Sequence, residues 1–117
     1  MKLITKRGAI YITDEVIASI CGYAALSCFG VKGMARKSLK DGIICLPKGH
    51  FPKGVKIRVE NNRIDIELHV VIEHGVNMRT VGQSIMSEVR YTVESVTGVK
   101  VNRVDVYIDA VTVSHVN

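Results

Sequence analysis

The chain has 117 residues, of which 47% are hydrophobic and 23% charged, and its net charge at neutral pH is +5. These proportions exclude a disordered chain and a coiled coil, and the length is sufficient for one domain with its own hydrophobic core. We therefore expect a single domain over residues 1–117. The whole net charge lies in residues 31–53, which hold six bases and one acid, because the bases and acids of the remaining residues cancel.

The first elements predicted along the chain are a short strand over residues 9–12 and a helix that Thr13 caps. The helix has acids in its first turn and apolar residues at helical spacing, and Gly30 is expected to end it. The uncharged run over residues 16–31 is shorter than the ~20 residues that a membrane-spanning helix needs. We therefore expect a cytoplasmic protein whose membrane contact, if any, is peripheral.

The three cysteines are odd in number and lie in or beside apolar runs. A disulfide scaffold would be denser and paired, so we expect reduced thiols. Cys21 and Cys28 are seven residues apart on one helical face, a spacing typical of a core rather than of a zinc site. The sequence thus predicts no metal site and no cofactor.

Residues 34–54 have the least regular pattern of the chain. Some of their apolar residues have the spacing of a short amphipathic helix, which Gly42 and Pro47 weaken. Residues 47–54 contain two prolines and two glycines and are predicted to form a loop.

Alternating apolar and charged residues over 55–60 and 63–72 predict a β-hairpin. With Asn61-Asn62 as a two-residue turn, three outward pairs have opposite charge, namely Glu60 with Arg63, Arg58 with Asp65, and Lys56 with Glu67. A shift of one residue would turn the apolar face to water. Lys56 and Arg58 are therefore expected to have structural partners and not to serve as free anion-binding groups.

A second helix is predicted over about residues 78–96, ended by Gly98, and a final strand over residues 99–108 has a candidate bulge near Asn102 and Arg103. Residues 109–117 are a candidate extension of that strand. The order strand, helix, basic segment, strand, strand, helix, strand predicts an α+β fold. We expect a small mixed or antiparallel sheet with two main helices packed on one face, KH-like or ferredoxin-like in outline.

The basic segment is the candidate binding surface, because all the uncompensated charge of the chain is there. Nucleic acid, an anionic membrane surface and an acidic protein are all compatible with this charge, and so is a solvated loop that only keeps the protein soluble. The candidate partner-binding or anion-binding residues are Gly30, Lys32, Gly33, Arg36, Lys37, Lys40, Lys48 and Lys53.

The sharpest motif in this segment is Gly30-Val31-Lys32-Gly33. Its place after a strand and a helix resembles a KH RNA-binding domain, in which a Gly-x-x-Gly loop lets backbone amides approach the phosphates of single-stranded RNA. Two features oppose this interpretation: the sequence offers no aromatic stacking platform, and the KH order does not require the final strand. A helix-stopping glycine followed by a turn would explain the motif as well.

No constellation of residues in the sequence points to catalysis. The four histidines are dispersed, the helical serines lack the glycines of a nucleophile elbow, and there is no phosphate loop or dinucleotide fingerprint. We expect no catalytic residue and no small-molecule substrate.

A series of segments, in this order and spacing, resembles the alkaline-shock-protein family of Gram-positive bacteria, also called envelope stress response proteins. Together the segments run from about Gly8 to Val113. They are residues 8–12 leading into 16–17, then 30–34, 54–57, 66–72, 74–75, 81–99 and 104–108.

The resemblance implies a small non-catalytic protein linked to cell-envelope stress or membrane-lipid homeostasis. Some members associate with the membrane through a membrane-anchored partner, and this chain resembles the short members without charged tails. Our interpretation is a non-enzymatic cytoplasmic adaptor that acts through protein–protein contacts, with a membrane-anchored protein or a second copy of the chain as its partner. The alternative is a KH-like single-stranded RNA-binding module that uses the loop from Gly30 to Gly33.

Overall fold

The structure is a computed structural model, which describes residues 1–38, 42–46 and 53–112. Within these residues lie two helices, α1 (Asp14–Leu26) and α2 (Met78–Thr97). The strands are β1 (Lys2–Thr5), β2 (Gly8–Tyr11), β3 (Val31–Ser38), β4 (Gly42–Cys45), β5 (Val55–Glu60), β6 (Arg63–Glu73) and β7 (Lys100–Thr112). Strands β1 and β2 form a hairpin of their own, and the other five strands form one sheet. The predicted α+β fold is confirmed.

The long strand β6 organises the five-stranded sheet. Along one edge of β6, strand β7 runs parallel over its whole length. Along the other edge, β5 pairs antiparallel with the first part of β6 and β3 pairs antiparallel with its last part, and β4 extends the sheet beyond β3. Strands β3 and β5 therefore meet end to end beside β6. Gly54 lies at this meeting point with φ +82, and a Cβ there would stand 2.8 Å from the carbonyl oxygen of Ala35.

The β5–β6 hairpin has the predicted register. Lys56 is opposite Glu67, Arg58 is opposite Asp65 and Glu60 is opposite Arg63. Asn61 and Asn62 have φ values of 50° and 62°, the left-handed values that a type I′ turn requires at both central positions.

The core lies between the sheet and the two helices. Alternate residues of β6 are at most 1% exposed and point toward the helices, namely Ile64, Ile66, Leu68, Val70 and Ile72. They pack with Val81, Ile85, Val89 and Val93 of α2, which recur at helical spacing on one face. Helix α1 contributes the small buried residues Ala18, Gly22 and Ala25. The side of the sheet that faces away from the helices, with Asp65, Glu67 and His69 of β6, is here called the open face.

Some local predictions were wrong. Helix α1 ends at Leu26 with Ser27 as its C-cap, so Gly30 is already at the turn into β3. The described residues of the short helix suggested within residues 34–54 lie in strands β3 and β4. Strand β3 pairs with β6 and β4 pairs with β3, and this pairing outweighs the local spacing of apolar residues. Strand β1 was not predicted, and most of the predicted loop over residues 47–54 lies outside the described residues.

The final strand continues to Thr112, into the candidate extension, and carries the expected bulge. Pairing with β6 passes from Val101 opposite Ile64 to Arg103 opposite Asp65, which leaves Asn102 as the extra residue. A second irregularity leaves Asp109 as an extra residue further along. Among the described residues, no helix is both long enough and apolar enough to cross a membrane.

Candidate binding cleft on the open face of the sheet

The two glycines of the Gly-x-x-Gly motif are buried by close packing. Gly30 has φ +87, and a Cβ there would lie 3.1 Å from a methyl group of Val81. Gly33 lies within β3, where a Cβ would lie 2.7 Å from the sulfur of Cys45. In the described structure, residues 30–33 thus lead into a paired strand, and packing accounts for the absence of a side chain at both glycines.

The structure brings two of the predicted basic residues together. Arg36, near the end of β3, and Lys53, just before β5, line the same cleft on the open face. Lys32 is exposed. The side chain of Lys37, and Lys40 and Lys48 entirely, lie outside the described part of the chain, so their part in a binding surface stays a prediction.

The cleft has a volume of about 770 Å³, within the ~300–1,000 Å³ range of ligand pockets. It lies where β3 and β5 meet beside β6, and β7 contributes its far wall. The side chains that determine its chemistry are Arg36, Lys53, Lys56, Glu67, His69, Tyr107 and Asp109.

A hydrogen-bonded group centred on His69 forms part of the cleft lining. The ring Nδ1 is 2.9 Å from Oδ2 of Asp109, and Nε2 is 2.9 Å from Oε2 of Glu67. The ring of Tyr107 stacks on the imidazole, with centroids 4.7 Å apart and planes 9° from parallel. Each contact joins a ring nitrogen to a carboxylate oxygen, which accepts a hydrogen bond from a ring nitrogen that carries a proton.

Some charged residues of the cleft have an ion-pair partner among the described residues, and others have none. Lys56 Nζ is 3.9 Å from Glu67 Oε2, which confirms the predicted partner of Lys56. Glu67 and Asp109 also each lie 2.9 Å from a ring nitrogen of His69. Within the described residues, no acid forms an ion pair with Arg36 or Lys53. Among the residues that the structure describes, the cleft therefore presents two cations without an ion-pair partner, beside two acids that each contact a ring nitrogen of His69.

The sequence did not reveal the cluster of His69, Tyr107 and Asp109. The outward position of His69 was visible in the alternation of β6, but its partners lie on β7, and Asp109 is 40 residues further along. Only the parallel register of β6 and β7 brings His69 opposite Tyr107. The stacked pair joins two rings of the protein itself, so the expectation that the sequence offers no aromatic platform for nucleic-acid bases stays a prediction.

No group of three or more histidine, cysteine or acidic residues in the described ranges is arranged to hold a metal ion. Both ring nitrogens of His69 face carboxylates at hydrogen-bond distance. The arrangement can therefore hold His69 and Tyr107 in fixed orientations, and it leaves Arg36 and Lys53 as the groups able to bind a ligand.

Comparison with known proteins finds one matching family model and several similar sequences. The model of the alkaline shock protein 23 family, described by a cell envelope-related function, matches residues 2–113. The uncharacterized protein YloU of Bacillus subtilis is 37% identical over 117 residues, 98% of each chain. An uncharacterized protein of Streptococcus pyogenes is 35% identical over 97% of this chain and 95% of its own. The uncharacterized protein YqhY of Bacillus subtilis is 30% identical over 89% of this chain and 77% of its own. No solved structure matches the chain significantly.

Proposed function

Because the chain belongs to the alkaline shock protein 23 family, whose described function is cell envelope-related, we propose that it is a non-enzymatic cytoplasmic adaptor. In this proposal, the cleft on the open face binds an acidic segment of a protein partner. The partner class implied by the sequence resemblance is a membrane-anchored protein or a second copy of the chain. The observation that carries the proposal is that Arg36 and Lys53 line one cleft and have no ion-pair partner among the described residues.

The chemistry of the cleft supports binding rather than catalysis. The described lining contains no serine, threonine or cysteine that could act as a nucleophile. A histidine that acts as a general base needs a ring-nitrogen lone pair directed at the substrate, whereas both ring nitrogens of His69 face carboxylates 2.9 Å away. These contacts suit a side chain that is held in place by its neighbours.

The same charges favour an acidic peptide over a nucleic acid. A bound RNA strand would carry a phosphate at every nucleotide along the cleft, where Glu67 and Asp109 also lie. A peptide can instead place one or two carboxylates against Arg36 and Lys53 and direct other side chains toward Tyr107. The RNA-binding alternative also relied on Gly30 and Gly33, which are buried.

The proposal is tested by fluorescence anisotropy with a labelled oligoglutamate peptide and a neutral peptide of equal length. We expect the Arg36→Glu, Lys53→Glu double variant to bind the acidic peptide at least about tenfold more weakly, because reversing two contact charges removes attraction and adds repulsion. The melting temperature should change little, since both side chains are exposed.

A matched control and a competing ligand make the test specific. Lys100→Glu changes an exposed cation at the first position of β7, seven residues before Tyr107, and it should leave binding of the peptide nearly unchanged. Equal losses of affinity in the two proteins would mean that net charge alone determines binding, which would contradict the cleft proposal. Tighter binding of a single-stranded RNA, with a steep dependence on salt concentration, would favour the alternative function.

A crosslinking experiment addresses the partner itself. A photoreactive amino acid at position 36 should crosslink to a partner protein in cells, and the same group at position 100 should not. Identical crosslinked products from the two positions would contradict a partner site at the cleft.

A further inference from the structure

We propose that the β1–β2 hairpin is a lipid-contact element that binds the surface of an anionic membrane. The hairpin is a two-stranded sheet separate from the main sheet. One of its faces packs on the core through Met1, Leu3 and Ile12. The pairing of Lys2 with Tyr11 and of Ile4 with Ala9 places these four residues together on the other face, which we call the outer hairpin face.

The outer hairpin face exposes two large apolar side chains. Ile4 is 79% exposed and Tyr11 is 74% exposed. An aliphatic residue and a tyrosine are the types that the membrane interface accommodates, since the tyrosine ring is apolar and its hydroxyl group is polar. Covering these side chains would remove apolar area from water, which favours binding.

The charges of the hairpin identify an anionic surface as the occupant. Residues 1–13 contain Lys2, Lys6 and Arg7 and no acid, and within the described residues no acid forms an ion pair with any of the three. Lys2 Nζ lies 5.7 Å from the centre of the Tyr11 ring. Clustered bases beside apolar groups are attracted to anionic headgroups, whereas a second hairpin packed on the same face would bring like charges together.

The tip of the hairpin is held in a defined conformation. The hydroxyl group of Thr5 donates to the carbonyl oxygen of Gly8 at 3.1 Å and accepts from the amide of Arg7 at 3.2 Å. These contacts close the turn that carries Lys6 and Arg7, both of which are exposed. The two bases at the tip and the apolar pair on the outer face are therefore presented together without a folding step on binding.

Flotation with lipid vesicles tests this inference. The full chain should float with vesicles of phosphatidylglycerol and phosphatidylcholine and should not float with phosphatidylcholine alone. Ile4→Ser with Tyr11→Ser should weaken the partition by about tenfold or more, because the apolar contact is lost. Lys6→Gln with Arg7→Gln should weaken it similarly and reduce its dependence on salt concentration.

Two controls separate the hairpin from the general properties of a basic protein. Phe29→Ser removes another exposed apolar side chain, 84% exposed and outside the hairpin, and Arg63→Gln with Lys100→Gln removes two charges elsewhere. Both should leave the partition unchanged. The proposal is overturned if the wild type does not float with anionic vesicles, or if these controls or the Arg36→Glu, Lys53→Glu variant reduce flotation as much as the hairpin variants do.

A dye-labelled hairpin provides a readout that does not depend on the loss-of-binding variants. In a Cys45→Ser background, Ile4→Cys carries an environment-sensitive dye, and Arg63→Cys carries the same dye as a control. Anionic vesicles should shift the emission to the blue at position 4 alone. An equal shift at both positions, or no shift at position 4 when the protein is bound, would contradict insertion of the outer hairpin face.

Discussion

Cys21 lies at the middle of α1 and is fully buried in the core. Burial raises the pKa of its thiol to about 12 from the ordinary value of 9.0, because the charged thiolate would lose its hydration. Burial also raises the pKa of Cys28, opposed by a hydrogen bond from Ser84 and assisted by the charge of Glu88. Both residues are thus core thiols that stay protonated in the folded protein at neutral pH, whereas the free Cys45 is exposed.

The raised pKa of Cys21 predicts a loss of stability in alkali. Above pH 9 the unfolded chain releases the thiol proton while the folded chain keeps it, so the free energy of unfolding falls as pH rises toward 12. Raising the pH from about 8 to about 10 lowers the free energy of unfolding of the wild type. This fall should be about 1 kcal/mol smaller for Cys21→Ala, which has no thiol at this position. Urea unfolding of both proteins at the two pH values measures this difference, and parallel losses would show that Cys21 does not titrate as described.

At the scale of elements, the β5–β6 hairpin depends on the conformation of its two-residue turn. Asn62 has φ 62, a region that alanine adopts at a cost and glycine adopts freely. Asn62→Ala should therefore be about 1 kcal/mol less stable than Asn62→Gly. Because both variants lack the same amide group, urea unfolding of the pair isolates the backbone contribution. Equal stabilities would indicate that the turn changes type.

The hairpin also shows why some of the fold could be predicted from the sequence. Its register follows from a turn and three charge pairs that lie within a few residues of one another. The pairing of β7 with β6 carries no such local signal, because helix α2 separates the two strands and their parallel register depends on packing of the whole molecule. The strands β3 and β4 were missed for the same reason, since β3 is held by pairing with residues 70–72 of β6.

The candidate site likewise combines residues that the sequence could indicate with residues that only the fold brings together. Arg36 and Lys53 were predicted to bind a partner or an anion because they lie in the basic segment. The structure places both of them in the lining of one cleft, and their function stays a prediction. The group around His69 could not be read from the chain, because its members come from β6 and β7. Which residues are neighbours on the open face can be determined only when the order of the strands in the sheet is known.

At the scale of the whole molecule, β6 is paired on both of its edges, whereas β1 and β2 pair only with each other. Opening β6 requires the sheet and its helix-covered core to separate, while the hairpin is attached through a few partly buried side chains. Native-state hydrogen exchange should therefore find the slowest amides in β6 and faster exchange in β1 and β2. Hairpin amides as slow as those of β6 would show that both open together.

The two bulges of β7 determine where this strand can lose a residue in evolution. An insertion or deletion inside a strand ordinarily moves every later side chain to the opposite side of the sheet. At Asn102 and Asp109, however, β7 already has one residue more than β6 opposite it. Loss of either residue would leave the later residues of β7 in phase, so gaps among relatives are expected there. The pairing of β6 with β5 contains no bulge. We therefore expect relatives to have no insertion or deletion within the 11 residues of β6.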